Sequence, residues 1–233
     1  MKGNSLVTGG VVVGVLFLLS ASTAWAESRN GDSVPDDKVD ASKYHKTSTP
    51  ALAGTVAKTG QTNCYDAEGN PIDCEGTGQD GDYRKGVSYP KPRFTEERDG
   101  TVTDNLTGLV WLKNANCFGI RTWDQALSDC NQLSGGKCGL SDASSAGDWR
   151  LPNVRELYSL VHYSFSNPAV PNTEGDAQWR EGDPFNKVST FYWSSTTHES
   201  TSKNSLGVDI RYGSMSIISK STMLYVWPVR GGH

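Results

Sequence analysis

The sequence predicts an α+β domain, and three observations predict it. Short runs of strand character lie toward both ends of the folded region, and two capped amphipathic helix signals fall between them. Strands, then two helices, then strands is an order without the strand–helix alternation of a parallel sheet. The 25 Gly and ten Pro spread turns along the chain and speak against a helical bundle.

The chain opens on an export signature. Lys2 supplies a short positive region, Val11 to Leu19 is a nearly unbroken apolar run, and Ala24-Trp25-Ala26 offers small residues where a signal peptidase inspects them. A signal peptide over residues 1–26, cleaved after Ala26, is expected. The apolar run is shorter than the roughly 20 residues of a spanning helix, so no stable membrane span is expected after cleavage. Residues 27–60 are polar and poor in large apolar side chains, which reads as a flexible leader. Residues 61–233 are a normal length for one domain with one core. A secreted or periplasmic location follows from the signal.

Charge excludes one broad class of partner. The net charge is −4, and residues 61–186 carry 19 acidic against 11 basic side chains. No strong basic field exists to attract nucleic acid.

In an oxidising compartment cysteine pairs are expected to be oxidised. Cys64 and Cys74 enclose a Glu-Gly-Asn-Pro turn signal, and a bridge there pins a short hairpin. Cys117 and Cys138 bracket the first helix, where a bridge contributes about 3 kcal/mol by loop entropy. Thr122 is the N-cap of that helix and Gln125 completes a capping box. Trp123, Ala126, Leu127, Cys130 and Leu133 then share its apolar face, so Cys130 is expected to be a buried free thiol.

Asn153 caps the second helix with Glu156 as its partner, and Val154, Leu157, Leu160 and Val161 form the buried stripe. His162 just beyond reads as a partly exposed helix-end residue. Asp99 to Trp111 reads as a hairpin turning at Asn105 to Gly108. Leu206, Val208 and Ile210, then Met215 and Ile217, read as a second hairpin with one buried face. Leu224 to Val229 reads as the last strand, with Pro228 at its edge or end.

Several motifs together resemble a known family. Thr107-Gly108-Leu109-Val110-Trp111, Cys117-Phe118-Gly119, Cys138-Gly139-Leu140-Ser141-Asp142, Gly147-Asp148-Trp149-Arg150-Leu151-Pro152-Asn153, Tyr192-Trp193-Ser194-Ser195 and Val226-Trp227-Pro228-Val229-Arg230 are similar to those of the Lcl C-terminal domain family. That is a bacterial domain of unknown function named after a collagen-like adhesin. Thr59 to Thr62 with Cys64, and Gly76 to Gly81, resemble a leading segment often found in such proteins. The resemblance implies a C-type-lectin-like fold, with two helices on a compact antiparallel sheet and long loops carrying the ligand site. Cys130 departs from the family pattern, and the collagen-like Gly-X-Y stalk has no counterpart in this sequence.

Without the collagen-like stalk, the adhesin's own role carries over only weakly. A non-catalytic recognition or adhesion module of the cell envelope or exterior is expected, with a polysaccharide or cell-surface protein as ligand. Its ligand residues would lie between Ser164 and Ser205, where Trp179, Arg180, Tyr192, Trp193 and His198 combine aromatic faces with polar groups. Tyr192 and Trp193 also fit core strand positions. Glu174, Asp176, Glu181 and Asp183 are a dispersed acidic loop, and neither a metal site nor a cofactor is expected. An envelope protein with no small ligand is the alternative. An oxidase of the formylglycine-generating type is disfavoured, since no cysteine follows Cys138.

Overall fold

Three backbone segments decide the architecture: the turn at Asp104, the loop at Arg150 and the crossing at Trp227. A computed structural model of the chain describes residues 56–231. The signal reading and residues 27–55 of the leader lie outside the described residues. Residues 56–60, read from sequence as the end of the leader, pack on the domain. Ala57 bridges Val87 in parallel, Tyr163 N–H donates to Thr59 O at 2.9 Å, and Gly60 lies against the His162 ring. Gly60 has φ +86°, and a Cβ there would strike that ring.

The first elements are β1 (Cys64–Tyr65) paired with β2 (Pro71–Ile72), then the one-turn helix α1 (Asp80–Tyr83). Cys64–Cys74 closes the β1–β2 hairpin, as read from the sequence, with its Cα atoms 5.2 Å apart.

A four-stranded antiparallel sheet follows, in the order β11-β5-β4-β3, from β3 (Phe94–Glu96), β4 (Thr101–Asp104), β5 (Val110–Leu112) and β11 (Val229–Arg230). Its central turn is organised by Asp104. The Asp104 carboxylate accepts from Leu106 N–H at 2.9 Å and Thr107 Oγ1 at 2.8 Å, while Gly108 N–H returns to Asp104 O. Arg93 closes on the same carboxylate at 2.7 and 2.9 Å, and both side chains are fully buried. Taking such a pair out of water is costly, and further hydrogen bonds offset part of that cost. Arg93 also donates to Ser159 O at 3.0 Å, while its Nη1 has no partner among the described residues.

The second sheet has five strands in the order β6-β10-β7-β8-β9: β6 (Ile120–Arg121), β7 (Phe191–Thr197), β8 (Asn204–Asp209), β9 (Ser214–Ser219) and β10 (Leu224–Tyr225). The molecule is α+β, but besides the β1–β2 hairpin the described residues form two larger sheets and not one, and β10 runs parallel to β7. The strand expected from Leu224 to Val229 is likewise two pieces. Val226-Trp227-Pro228 leaves the five-stranded sheet after β10 and enters the four-stranded sheet at β11. Pro228 has no N–H for a ladder, so the break falls beside it.

Helix α2 (Trp123–Asn131) starts where the capping box places it, with Thr122 N–H donating to Gln125 Oε1 at 3.1 Å. Cys117–Cys138 spans it, with Cα atoms 5.6 Å apart, and Cys130 is free and fully buried. Helix α3 (Val154–Tyr158) is capped by Asn153, whose Oδ1 accepts two N–H groups at 2.9 Å each. It ends after five residues, so Leu160 and Val161 are buried from the turn beyond it. His162 follows and is only 7 % exposed, which corrects its reading as a partly exposed helix end.

Strand β7 explains how the layers join. Tyr192 and Trp193 point to opposite faces and are both fully buried, each in a different apolar cluster. Trp193 meets Ala126 and Cys130 of α2, while Tyr192 joins the main core with Leu157 of α3, Trp111 and Trp227. The hairpin β8–β9 departs from its expected pattern. Val208 is buried, but Met215 and Ile217 opposite β8 are 44 % and 52 % exposed. The five-residue α3 packs on β7 and β8, and its cover does not extend over β9.

Candidate functional site

The five residues expected to bind ligand do not converge. Tyr192 and Trp193 are core side chains with no exposed surface, so the structure removes them as surface ligands. The cause is the double-sided burial of β7. Trp179 is half-buried, packs on the main core, and donates its indole N–H to Phe185 O at 3.0 Å. Arg180 is exposed next to it and bridges Asp183 through the backbone. His198 lies at the β7–β8 turn, where Nδ1 and Thr201 Oγ1 are 2.8 Å apart. Three of the four carboxylates of the acidic loop are engaged separately. Asp176 pairs with Lys91, Glu181 accepts from Lys187 N–H, and Asp183 accepts from Thr173 N–H. Among the described residues no group of acidic, His or Cys side chains is arranged to hold a metal ion.

A different place gathers suitable side chains. A groove of about 470 Å³ lies between the segment Val56–Thr59, helix α3 with the turn after it, and Met215 of β9. The segment is held as one wall by Lys58 N–H on Val87 O at 3.0 Å and Val87 N–H on Val56 O at 2.9 Å. Val161 lines the groove while only 5 % exposed. Tyr158 and Tyr163 stand together, their hydroxyls in contact, and each donates to Gly213 O at the β8–β9 turn. Tyr89 lines this groove and a smaller hollow of about 220 Å³ on residues 58–62.

The electrostatics of the groove are one-signed. Lys58 and Arg155 are its only charged lining residues, and neither forms an ion pair among the described residues. Burial, then Tyr158, pushes the Tyr163 phenol well above its ordinary range, and burial raises Tyr89 as well. Both therefore stay neutral hydroxyls. Aromatic rings, neutral hydroxyls and the cations of Lys58 and Arg155 suit recognition of a ring-bearing polar ligand. Among the described residues no cysteine, histidine or carboxylate lines the groove.

The Arg150 motif has a structural part instead. Its guanidinium grips Glu156 through two bonds of 2.7 Å and Gly231 O at 2.8 Å, tying the capping box of α3 to the end of β11. Pro152 O accepts from Ser195 N–H at 2.8 Å, so the same turn also fastens β7. The closing Arg230 stands with its guanidinium over the Trp149 ring, and its Nη1 is 2.8 Å from the buried carboxylate of Asp142. That contact is an ion pair with poor hydrogen-bond alignment, since Asp142 Oδ2 has no well-directed donor.

These motif residues all lie within the span of a family-model match. The match runs over residues 100–230, under the description Lcl C-terminal domain. The chain belongs to the Lcl C-terminal domain family. Lys58 to Asp99, with the Cys64–Cys74 hairpin and one wall of the groove, lies outside that match. No curated protein matches the chain.

Sequence reading missed Lys58, Tyr89, Arg155, Tyr158 and Tyr163. Lys58 fell in the presumed leader, and the others carry no spacing that distinguishes them from ordinary surface residues. Tyr158 and Tyr163 meet only because the chain reverses after α3.

Proposed function

We propose that this Lcl C-terminal domain protein is an exported, non-catalytic recognition or adhesion module of the cell envelope or exterior, binding a polysaccharide or a cell-surface protein. The observation that carries the reading is the groove itself, where Tyr89, Tyr158 and Tyr163 stand beside Lys58 and Arg155, cations with no ion pair among the described residues. Such a surface offers ring faces for a sugar and cations for its oxygens. The C-type-lectin-like relationship implied by the family motifs is consistent with this role. Export is supported by the two cystines, which persist in oxidising compartments, and by the signal read at residues 1–26. A non-catalytic role is supported by the cysteines. Four are oxidised, and burial, then Asp129, pushes the fifth thiol at Cys130 far above its ordinary range.

The test uses protein recovered from outside the cytoplasm, with its N-terminus expected at Glu27, on a glycan array. Saturable binding is expected, weakened roughly tenfold or more by Lys58→Ala or Arg155→Ala, in line with loss of a charge-assisted hydrogen bond. Binding to no glycan, or binding unchanged in both variants, would sink the glycan reading and leave a cell-surface protein ligand or a structural envelope role.

A further inference from the structure

Each of the two larger sheets has two outer strands, and these differ: in β11 the outward backbone groups of Val229 are already bonded to Arg150, and in β3 the Phe94 N–H donates to Thr173 O. In the four-stranded sheet the outer strands are β3, with three residues including Glu96, and β11, with two including Arg230. The outer strand β6 of the five-stranded sheet has two residues and carries Arg121. Short edges and inward or outward charges are the usual protection against pairing with another chain. Strand β9 has none of these devices. Ser-Met-Ser-Ile-Ile-Ser is six residues long, without charge and without proline, and pairs only with β8 among the described residues.

The backbone of β9 is directed for use. Lys220 N–H donates to Lys203 O, one step beyond the Asn204↔Ser219 partners, so this is a hydrogen-bonded pair of the antiparallel ladder. By alternation Ser214, Ser216 and Ile218 aim their backbone groups at β8, and Met215, Ile217 and Ser219 aim theirs outward. Ser219 O already accepts from Thr222 N–H at 2.9 Å. The outward groups left free are therefore centred on Met215 and Ile217, the two most apolar exposed side chains of the strand.

We propose that β9 is the site at which a second copy of this chain adds, antiparallel and edge to edge, about a two-fold axis through Ser216. In this register Met215 of each copy lies opposite Ile217 of the other, on the same face. Four backbone hydrogen bonds form through the free outward groups, and the two exposed apolar side chains become cross-strand pairs. An axis through Ile217 would instead set Met215 against Ser219, whose carbonyl is occupied. No like charges oppose each other in the favoured register, since Lys220 falls across from Tyr212 and Arg211 from Ser221. The axis is perpendicular to the sheet, so a continuous ten-stranded sheet forms with both Met215-lined grooves on one side. Two copies of a weak groove on one face bind a repetitive ligand with avidity. The pairing itself does not depend on what the groove binds.

Sedimentation velocity of the purified, disulfide-intact protein, over a hundredfold range of concentration, reads the pairing directly. Mass is expected to rise toward twice the monomer value, and Met215→Lys is expected to hold it at one. The register is read by cysteine cross-linking on a non-reducing gel. Ser216 lies opposite its own copy in a non-hydrogen-bonded pair with Cα atoms about 4.5 Å apart, within reach of a disulfide. Ser216→Cys is expected to give a covalent dimer and Ile217→Cys none. Circular dichroism identical to the parent confirms that the variants fold. A parent that stays monomeric at every concentration, or a mass unchanged by Met215→Lys in a folded variant, overturns the proposal. Cross-linking through Ile217→Cys but not Ser216→Cys overturns the register.

Discussion

His162 sits beneath Gly60 with Phe165 stacked on its ring at 4.3 Å, Tyr89 edge-on at 5.2 Å, and the buried Arg93 nearby. Its Nδ1 accepts from Ser164 N–H at 3.2 Å, so the neutral ring carries its proton on Nε2. Burial first, and Arg93 second, push its pKa down to about 4. The unfolded chain takes up this proton near pH 6.5 and the folded chain only near pH 4, so stability falls as pH drops through that window. Between pH 7 and pH 5 the expected loss is about 2 kcal/mol. Urea unfolding at the two pH values should show it, and His162→Phe should flatten the difference. An equal loss in the variant would mean that other groups carry the pH dependence. Arg93 makes the same point about environment. Its charge is fully buried, held by Asp104 and Ser159 O and lying 4.6 Å from the Tyr89 ring, with Nη1 left unpaired. Nothing in the local sequence around Arg93 announces that burial.

Helix α2 is the element in which local rules and tertiary structure agree most closely. Its N-cap, capping box, inward face and spanning cystine all follow from residues 117–138 alone, because each depends on helical spacing and short-range hydrogen bonds. Cys130 tests the agreement. Thiol labelling of the native, non-reduced protein should find no reactive thiol, and labelling after denaturation should find one. Three or five thiols in the denatured protein would break the cystine assignment. Helix α3 was legible at its start and not at its end. Asn153 and Glu156 specify the cap locally, but the buried stripe continues past Tyr158 in a turn, and periodicity cannot separate a helical from a turn-borne apolar residue. Strand β9 failed similarly. Alternation indicates which residues share a face, and only the reach of α3 decides whether that face is covered.

Across the whole molecule, Trp227 is the joint. It lies in the crossing between β10 and β11, donates its indole N–H to Leu112 O at 2.9 Å, and packs against Trp111, Phe185 and Tyr192 with ring centroids 4.8–5.6 Å apart. Trp227→Ala should cost about 3–5 kcal/mol, since it opens a cavity between the two sheets and orphans a carbonyl. Thermal unfolding measures it; a loss below about 1 kcal/mol would mean that the sheets are coupled elsewhere. The α+β order, the cysteine pairing, both helix caps and the hairpin at Asp104 came from the chain's own local chemistry, which acts over a few residues. The division into two sheets, the burial of Tyr192 and Trp193 on opposite faces of β7, and the groove joining Lys58, Tyr89, Tyr163 and Met215 came from packing between distant segments. Hydrophobic pattern records how much surface a residue must hide, and not which distant partner will hide it.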